Sequence, residues 1–230
     1  MNAHRQPMRG RFELMMFDLD GTLIETATEI QAAVNDTLRS IGLPAVSRQQ
    51  VSDWIGHGTR ELLAQALADS SGVDVADVRT SGQLALVIAA YDGFYQRHCG
   101  TRSVLYPAVR DTLVVLRAQG VKLAVVTNKE SRYTATVLEA HQLAPTFHRV
   151  ISGDTLPTRK PDPAGILHCL AVFGVQRERA LFVGDSSIDV ATARNAGVAV
   201  WALPYGYNMG QPIEACAPDR VITDLSALMA

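Results

Sequence analysis

"MMFDLDGTL", residues 15–23, is the stretch on which the fold turns. Leu14 to Phe17 is an unbroken apolar run, as in a strand covered on both faces, and it stops abruptly at Asp18-Leu19-Asp20. Two carboxylates at the end of a buried strand are costly unless they are paired or hold a cation. Three later stretches put polar residues in comparable places. The apolar run 121–127 leads into Thr127-Asn128-Lys129, and the run 180–184 leads into Asp185-Ser186-Ser187-Ile188-Asp189. Arg159-Lys160-Pro161-Asp162 closes the loop after a short strand at 149–152. A further strand is expected at 198–202, and helical spacing fills 109–119, 131–142, 163–173 and the segment ending at Ala196. Buried strands alternating with helices predict an α/β fold with a doubly wound parallel sheet. Ligands of such sheets gather beyond the carboxyl ends of the strands, so the four polar groups would share one rim.

From residue 26 to about 100 the texture is helical, without a convincing strand. Thr26 with Glu29 has the form of a capping box before Ile30, Val34, Leu38 and Ile41, with Gly42 as the stop. Ser47 with Gln50 opens a second helix, and 59–67 forms a third. Thr80 with Gln83 opens a fourth, carrying Leu84, Val87, Tyr91, Phe94 and His98. The organisation expected is a helical cap domain at 26–103 inserted into an α/β core made of 12–25 and 104–230. Residues 1–11 read as a polar N-terminal extension.

Composition narrows the function classes. The chain has 230 residues, 47% of them apolar, and a net charge of −2, with no Lys/Arg block of the kind that binds nucleic acid. The apolar stretch after Arg5, Arg9 and Arg11 is cut short by Asp18, too soon for a signal peptide or membrane span. Cys99, Cys169 and Cys216 are far apart and form no CxxC pair, which argues against a disulfide framework or zinc site and fits a cytoplasmic, reducing setting. The sequon at Asn35 lies in a helical pattern and is read as coincidence.

Carboxylates crowded with a hydroxyl, an amide and a lysine suit a hard cation such as Mg²⁺ together with a phosphate. One carboxylate facing a phosphoryl group can act as a nucleophile. Another, two residues on, can protonate the leaving oxygen and then activate water. Gly21 would let the backbone turn closely around the phosphate.

"DLDGTL", "VVTN", "KPDP" and "GDSSID", in this order and at these intervals, resemble the four motifs of the haloacid dehalogenase superfamily. The inserted block is similar to that superfamily's small helical cap. The resemblance implies that Asp18 is the nucleophile and Asp20 the general acid/base. Thr127 and Lys160 would bind the transferring phosphoryl group, with Asn128 beside them. Mg²⁺ would be held by Asp18, the backbone carbonyl of Asp20, and Asp185, with Asp189 supporting from behind. True dehalogenases lack the second aspartate, so Asp20 favours phosphoryl chemistry.

The segments 54–67 and 205–228 look most like bacterial phosphoglycolate phosphatases, which hydrolyse 2-phosphoglycolate to glycolate and phosphate. Glu25 stands where many relatives have aspartate. Ala108 stands where "PGV" is common, which speaks against a positive φ at the cap's return. His57 and Arg60, in "GHGTRE" where Gly56 and Gly58 suggest a flexible loop, are either substrate selectors or ordinary solvated residues. Tyr91, Phe94 and Tyr95 are expected in the cap core, and the other histidines show no metal-ligand spacing.

The rivals are another small phosphate ester as substrate, such as a sugar phosphate or nucleotide, and a phosphomutase. A non-catalytic binding module is disfavoured because Asp18, Asp20, Thr127, Lys160 and Asp185 are all present. The sequence leaves monomer and homodimer equally open.

Overall fold

The computed structural model describes residues 12–229, and the extension expected at 1–11 lies outside them. The chain runs β1 (Leu14–Phe17), β2 (Ile24–Glu25), then helices α1 (Ala27–Ser40), α2 (Arg48–Trp54), α3 (Thr59–Ser71), α4 (Val75–Thr80) and α5 (Gly82–His98). It continues with β3 (Val104–Leu105), α6 (Val109–Ala118), β4 (Lys122–Val126), α7 (Ser131–Ala140) and β5 (Arg149–Ile151). The last part is α8 (Ala164–Phe173), β6 (Ala180–Gly184), α9 (Ser187–Ala196), β7 (Ala199–Ala202) and β8 (Arg220–Val221).

Six strands form one sheet in the order β5-β4-β1-β6-β7-β8, and every pairing is parallel. β1 lies inside it, Met16 facing Ala124 on one side and Phe182 on the other. Side chains alternate across a strand, so the four apolar residues of β1 divide between two cores. Leu14 and Met16 pack with Ile166, Cys169, Val190 and Ala193 from α8 and α9. Met15 and Phe17 pack with Leu113, Leu116, Tyr133 and Val137 from α6 and α7. This two-sided cover is why the sequence before Asp18 is apolar without alternation.

The helical block α1–α5 is inserted between β2 and β3, which pair antiparallel through Ile24↔Leu105 and Glu25↔Val104. At two residues each, these strands carry no readable period and were not expected. Neither was α4, a single short helix capped by the Asp74 carboxylate, which accepts from the Ala76 amide. Among the described residues, no helix is long and apolar enough to cross a membrane.

The capping expectations divide. Ser47 and Gln50 form the reciprocal box foreseen for α2. Thr80 does not open α5; it is the last residue of α4, and Ser81 precedes α5 without a side-chain cap. Thr26 does precede α1, but its hydroxyl is turned away to Asp20, and Glu29 is drawn into the interior. The phenol oxygen of Tyr207 takes over, accepting from the amides of Thr26 and Ala27, each at 3.0 Å.

The expectation for Ala108 is overturned. Its φ is 62°, in the left-handed region, as the chain enters α6. A Cβ there crowds the following carbonyl at roughly 1–2 kcal/mol. Ala108→Gly should therefore raise the unfolding free energy by about 1 kcal/mol, after allowing for glycine's freer unfolded chain. The check is the urea midpoint at unchanged m; a lowered midpoint would refute strain at this turn.

Candidate active site

The carboxyl ends of β1, β4 and β6, with the loop after β5, deliver the predicted residues to one rim. Asp18 and Asp20 follow β1, Thr127 and Asn128 follow β4, Lys160 lies beyond β5, and Asp185 follows β6. Asp18, Thr127, Asn128, Lys160, Asp185 and Asp189 are all buried.

Lys160 stands between two carboxylates. Its Nζ lies 2.8 Å from Asp18 Oδ1 and 2.7 Å from Asp189 Oδ1. Burial alone would pull its pKa down, but Asp18 and Asp189 outweigh burial and hold the ammonium above its usual range. The other oxygen of Asp189 accepts from the amides of Asp185 and Ser186 and from the Ser186 hydroxyl. Asp189 thus fixes the turn after β6 and the head of Lys160 together. Gly184 is required beside it, since a Cβ there would meet Asp189 Cβ at 2.3 Å.

Asp185 is held on both oxygens. The Thr22 hydroxyl donates to Oδ1, and the Tyr207 amide donates to Oδ2 at 2.6 Å. A Cβ on Gly21, whose φ is +88°, would lie 2.3 Å from Asp185 Oδ2. The close approach expected at Gly21 is therefore made by a carboxylate of the protein.

Oxygens of Asp18, Asp185 and Asp189 all come within 4.8 Å of one another. Burial pushes the Asp18 carboxyl up to about 6, against the pull of Lys160. Burial, with repulsion from Asp189 and Asp18, drives Asp185 well above the usual carboxylate range. Asp189 accepts four hydrogen bonds, three of them on one oxygen, whereas Asp185 accepts one on each oxygen. Among the described residues only Lys160 pairs with the Asp18 carboxylate, so Asp18 and Asp185 keep the acceptor capacity to face an ion. A buried, all-oxygen set with more negative charge than Lys160 neutralises fits a hard divalent cation.

Asp20 sits on the side of the inserted block. Lys129 Nζ is 3.2 Å from both of its carboxylate oxygens, and the Thr26 hydroxyl donates to Oδ1 at 2.9 Å. Lys129 also donates to the Tyr95 hydroxyl at 2.6 Å. Tyr95 in turn faces Glu29, whose Oε2 accepts from the amides of Gly100 and Ser103 at 2.9 and 3.1 Å. Lys129, Tyr95 and Glu29 were not singled out from sequence as site residues. Tyr95 does belong to the expected apolar stripe, but its hydroxyl end belongs to the site.

A cavity of ≈ 50 Å³ opens between the rim and the inserted helices. Asp18, Asp20, Thr127 and Lys129 form its floor, with Ile30, Ile55, Leu62, Tyr91 and Tyr95 around it. The loop before α3 closes one side, where Asn128 Nδ2 donates to the Gly56 carbonyl at 2.9 Å and the Thr59 hydroxyl to Glu130 at 3.0 Å. Asn128 Nδ2 also donates to the Lys160 carbonyl at 3.0 Å, so both of its amide hydrogens tie loops together and none is left for an anion. His57 and Arg60 are exposed and do not line this cavity; the Arg60 guanidinium donates to the Arg79 carbonyl instead.

Comparison with known proteins gives concordant findings. The family model described as haloacid dehalogenase-like hydrolase matches residues 15–203. The chain is 43% identical over 216 residues to the phosphoglycolate phosphatase of Pseudomonas putida, covering 94% of this chain and 78% of that protein. It is 40% identical over 218 residues to the phosphoglycolate phosphatase of Vibrio cholerae, covering 94% and 95%. The crystal structure of a predicted phosphoglycolate phosphatase from Haemophilus somnus superposes with a TM-score of 0.89 at 34% identity, covering 95% of this chain and 97% of that one.

Proposed function

The chain belongs to the haloacid dehalogenase-like hydrolases, and on that premise we propose that it is a Mg²⁺-dependent, cytoplasmic phosphatase acting on 2-phosphoglycolate. In this reading residues 26–103 are the cap over a core of 12–25 and 104–230. The observation that carries it is the convergence of buried Asp18, Lys160 and Asp185 with half-buried Asp20 at one rim.

A carboxylate oxygen of Asp18 attacks phosphorus, and the bond to the ester oxygen breaks. The leaving oxygen takes a proton from Asp20, releasing glycolate and leaving phosphate on Asp18. Asp20, now a carboxylate, takes a proton from water as the water oxygen attacks phosphorus; phosphate departs and Asp18 is restored. Lys160 donates to Asp189 and lies 2.8 Å from Asp18 Oδ1, so its ammonium stands beside the attacking carboxylate, where a phosphoryl oxygen would meet it. Thr127 lines the same floor. Held by Asp18, the backbone carbonyl of Asp20, and Asp185, Mg²⁺ would supply the positive charge that lets two anions meet. Asp189 would take no direct part, since it already accepts four hydrogen bonds.

The cavity has Asp18, Asp20, Thr127 and Lys129 on its floor and Ile30, Ile55, Leu62, Tyr91 and Tyr95 around it. That lining favours a short phosphate ester held close to the rim. The test is a panel of phosphate esters ranked by kcat/KM. The expected result is 2-phosphoglycolate first, with activity abolished by a chelator and restored by Mg²⁺. A sugar phosphate or nucleotide at the head of the ranking would refute the substrate, and turnover indifferent to chelation would refute the metal.

A further inference from the structure

The cavity wall carries a buried cation that the hydrolytic mechanism leaves unused. Among the described residues lining it, Asp18, Asp20 and Glu130 are acidic and Lys129 is the one base. Lys129 is not a surface lysine. Its side chain is 4% exposed, and its Nζ sits 4.9 Å from the centre of the Tyr95 ring.

The geometry accounts for two of its three N–H groups. One is shared by the two Asp20 oxygens at 3.2 Å, and one goes to the Tyr95 hydroxyl at 2.6 Å. Tyr95 is anchored by Glu29, itself fixed by the amides of Gly100 and Ser103. The ammonium is thus aimed, and one donor remains. Burial works against its charge, but Asp20 and the other negative groups nearby outweigh burial and hold its pKa above the ordinary lysine value.

Asp20 must reach the ester oxygen to protonate it. In 2-phosphoglycolate the carboxylate is carried by the carbon attached to that oxygen, so a leaving group seated on Asp20 brings its own negative charge beside Lys129. We infer that Lys129 is the specificity-determining residue of this site, its ammonium binding a carboxylate on the leaving group and so selecting acid-bearing esters over neutral ones of equal size. This rests on the phosphoglycolate reading above and deepens it.

The decisive measurement compares kcat/KM for 2-phosphoglycolate with that for ethyl phosphate, whose leaving group is of similar length but uncharged, in wild type and in Lys129→Met, Lys129→Gln and Lys129→Arg. Thermal melts establish that each variant folds, and Gln, which keeps hydrogen-bonding capacity, stands in should Met destabilise the site. Removing the charge should cut the phosphoglycolate preference by roughly 10- to 100-fold, mainly through KM, and Arg should retain most of it. A residue that only steadied Asp20 would slow both substrates alike. Equal losses on both substrates, or no loss at all, therefore overturn the assignment while leaving the substrate reading intact. A wild-type enzyme with no preference for 2-phosphoglycolate over ethyl phosphate overturns both.

Discussion

Asp18→Asn should lower turnover of every phosphate ester by at least ~10⁴-fold and, at neutral pH without metal, raise the melting temperature. The first effect follows from the proposed mechanism, in which a carboxylate oxygen of Asp18 attacks phosphorus. The second follows from the cost of the charge. Burial moves the Asp18 carboxyl from an ordinary 3.8 to about 6, a difference of about 3 kcal/mol. Below pH 3.8 the group is protonated in both folded and unfolded chains and contributes nothing. Between pH 3.8 and about 6 the unfolded chain releases the proton and the folded one keeps it, so stability falls as pH rises. Above pH 6 the full penalty is present. Asparagine, which can still accept from Lys160, carries no such penalty. The variant's advantage should therefore grow from pH 4 to pH 6 and amount to several degrees at pH 7. Added Mg²⁺ should narrow the gap by stabilising the wild type more. An inactive variant that also melts lower at pH 7 would show that Asp18 is a structural pairing group for Lys160. A variant with wild-type turnover would remove it from the chemistry.

The same balance explains which parts of the site could be read from the sequence. Asp18, Thr127 and Asp185 end strands buried on both faces, and a polar residue after an apolar run is visible without any structure. The network behind Asp20 leaves no such mark. Tyr95 occupies a helical apolar stripe with Leu84, Val87 and Tyr91, and only its hydroxyl reaches Lys129. Glu29 has the spacing of a capping residue, yet it is wholly buried and bonded to amides more than seventy positions away. Local spacing favoured the cap; tertiary demand took the carboxylate inward and left the helix start to Tyr207. Lys129 was visible as the third residue of a polar group, but its direction toward Asp20 depends on where α5 packs. Ala108 shows the converse, a residue type that argues against a left-handed turn in a position where the chain adopts one.

Gly206→Ala should cost at least ~10²-fold in kcat/KM, although no reacting atom is altered. Asp185 lies in a slot whose walls are two glycines: a Cβ on Gly206 would stand 2.2 Å from Asp185 Oδ2 and 2.4 Å from its Cβ and Cγ. Gly21 closes the opposite side. The carboxylate cannot swing clear, because Thr22 and the Tyr207 amide hold its two oxygens and the residue is 2% exposed. The substitution must push Asp185 or the 205–207 loop away, and a displacement near 1 Å is enough to spoil a cation site. Overpacking should also lower stability by about 1–3 kcal/mol. Gly93→Ala provides the contrast. Gly93 lies exposed within α5, and a Cβ there meets nothing within 4 Å. There alanine should stabilise by roughly 0.5–1 kcal/mol and leave activity unchanged. The diagnostic is the Mg²⁺ requirement: Gly206→Ala should need a higher concentration for half-maximal activity, and Gly93→Ala should not. Wild-type kcat/KM and Mg²⁺ dependence in Gly206→Ala would mean that Asp185, so closely confined, is not among the groups that hold the cation.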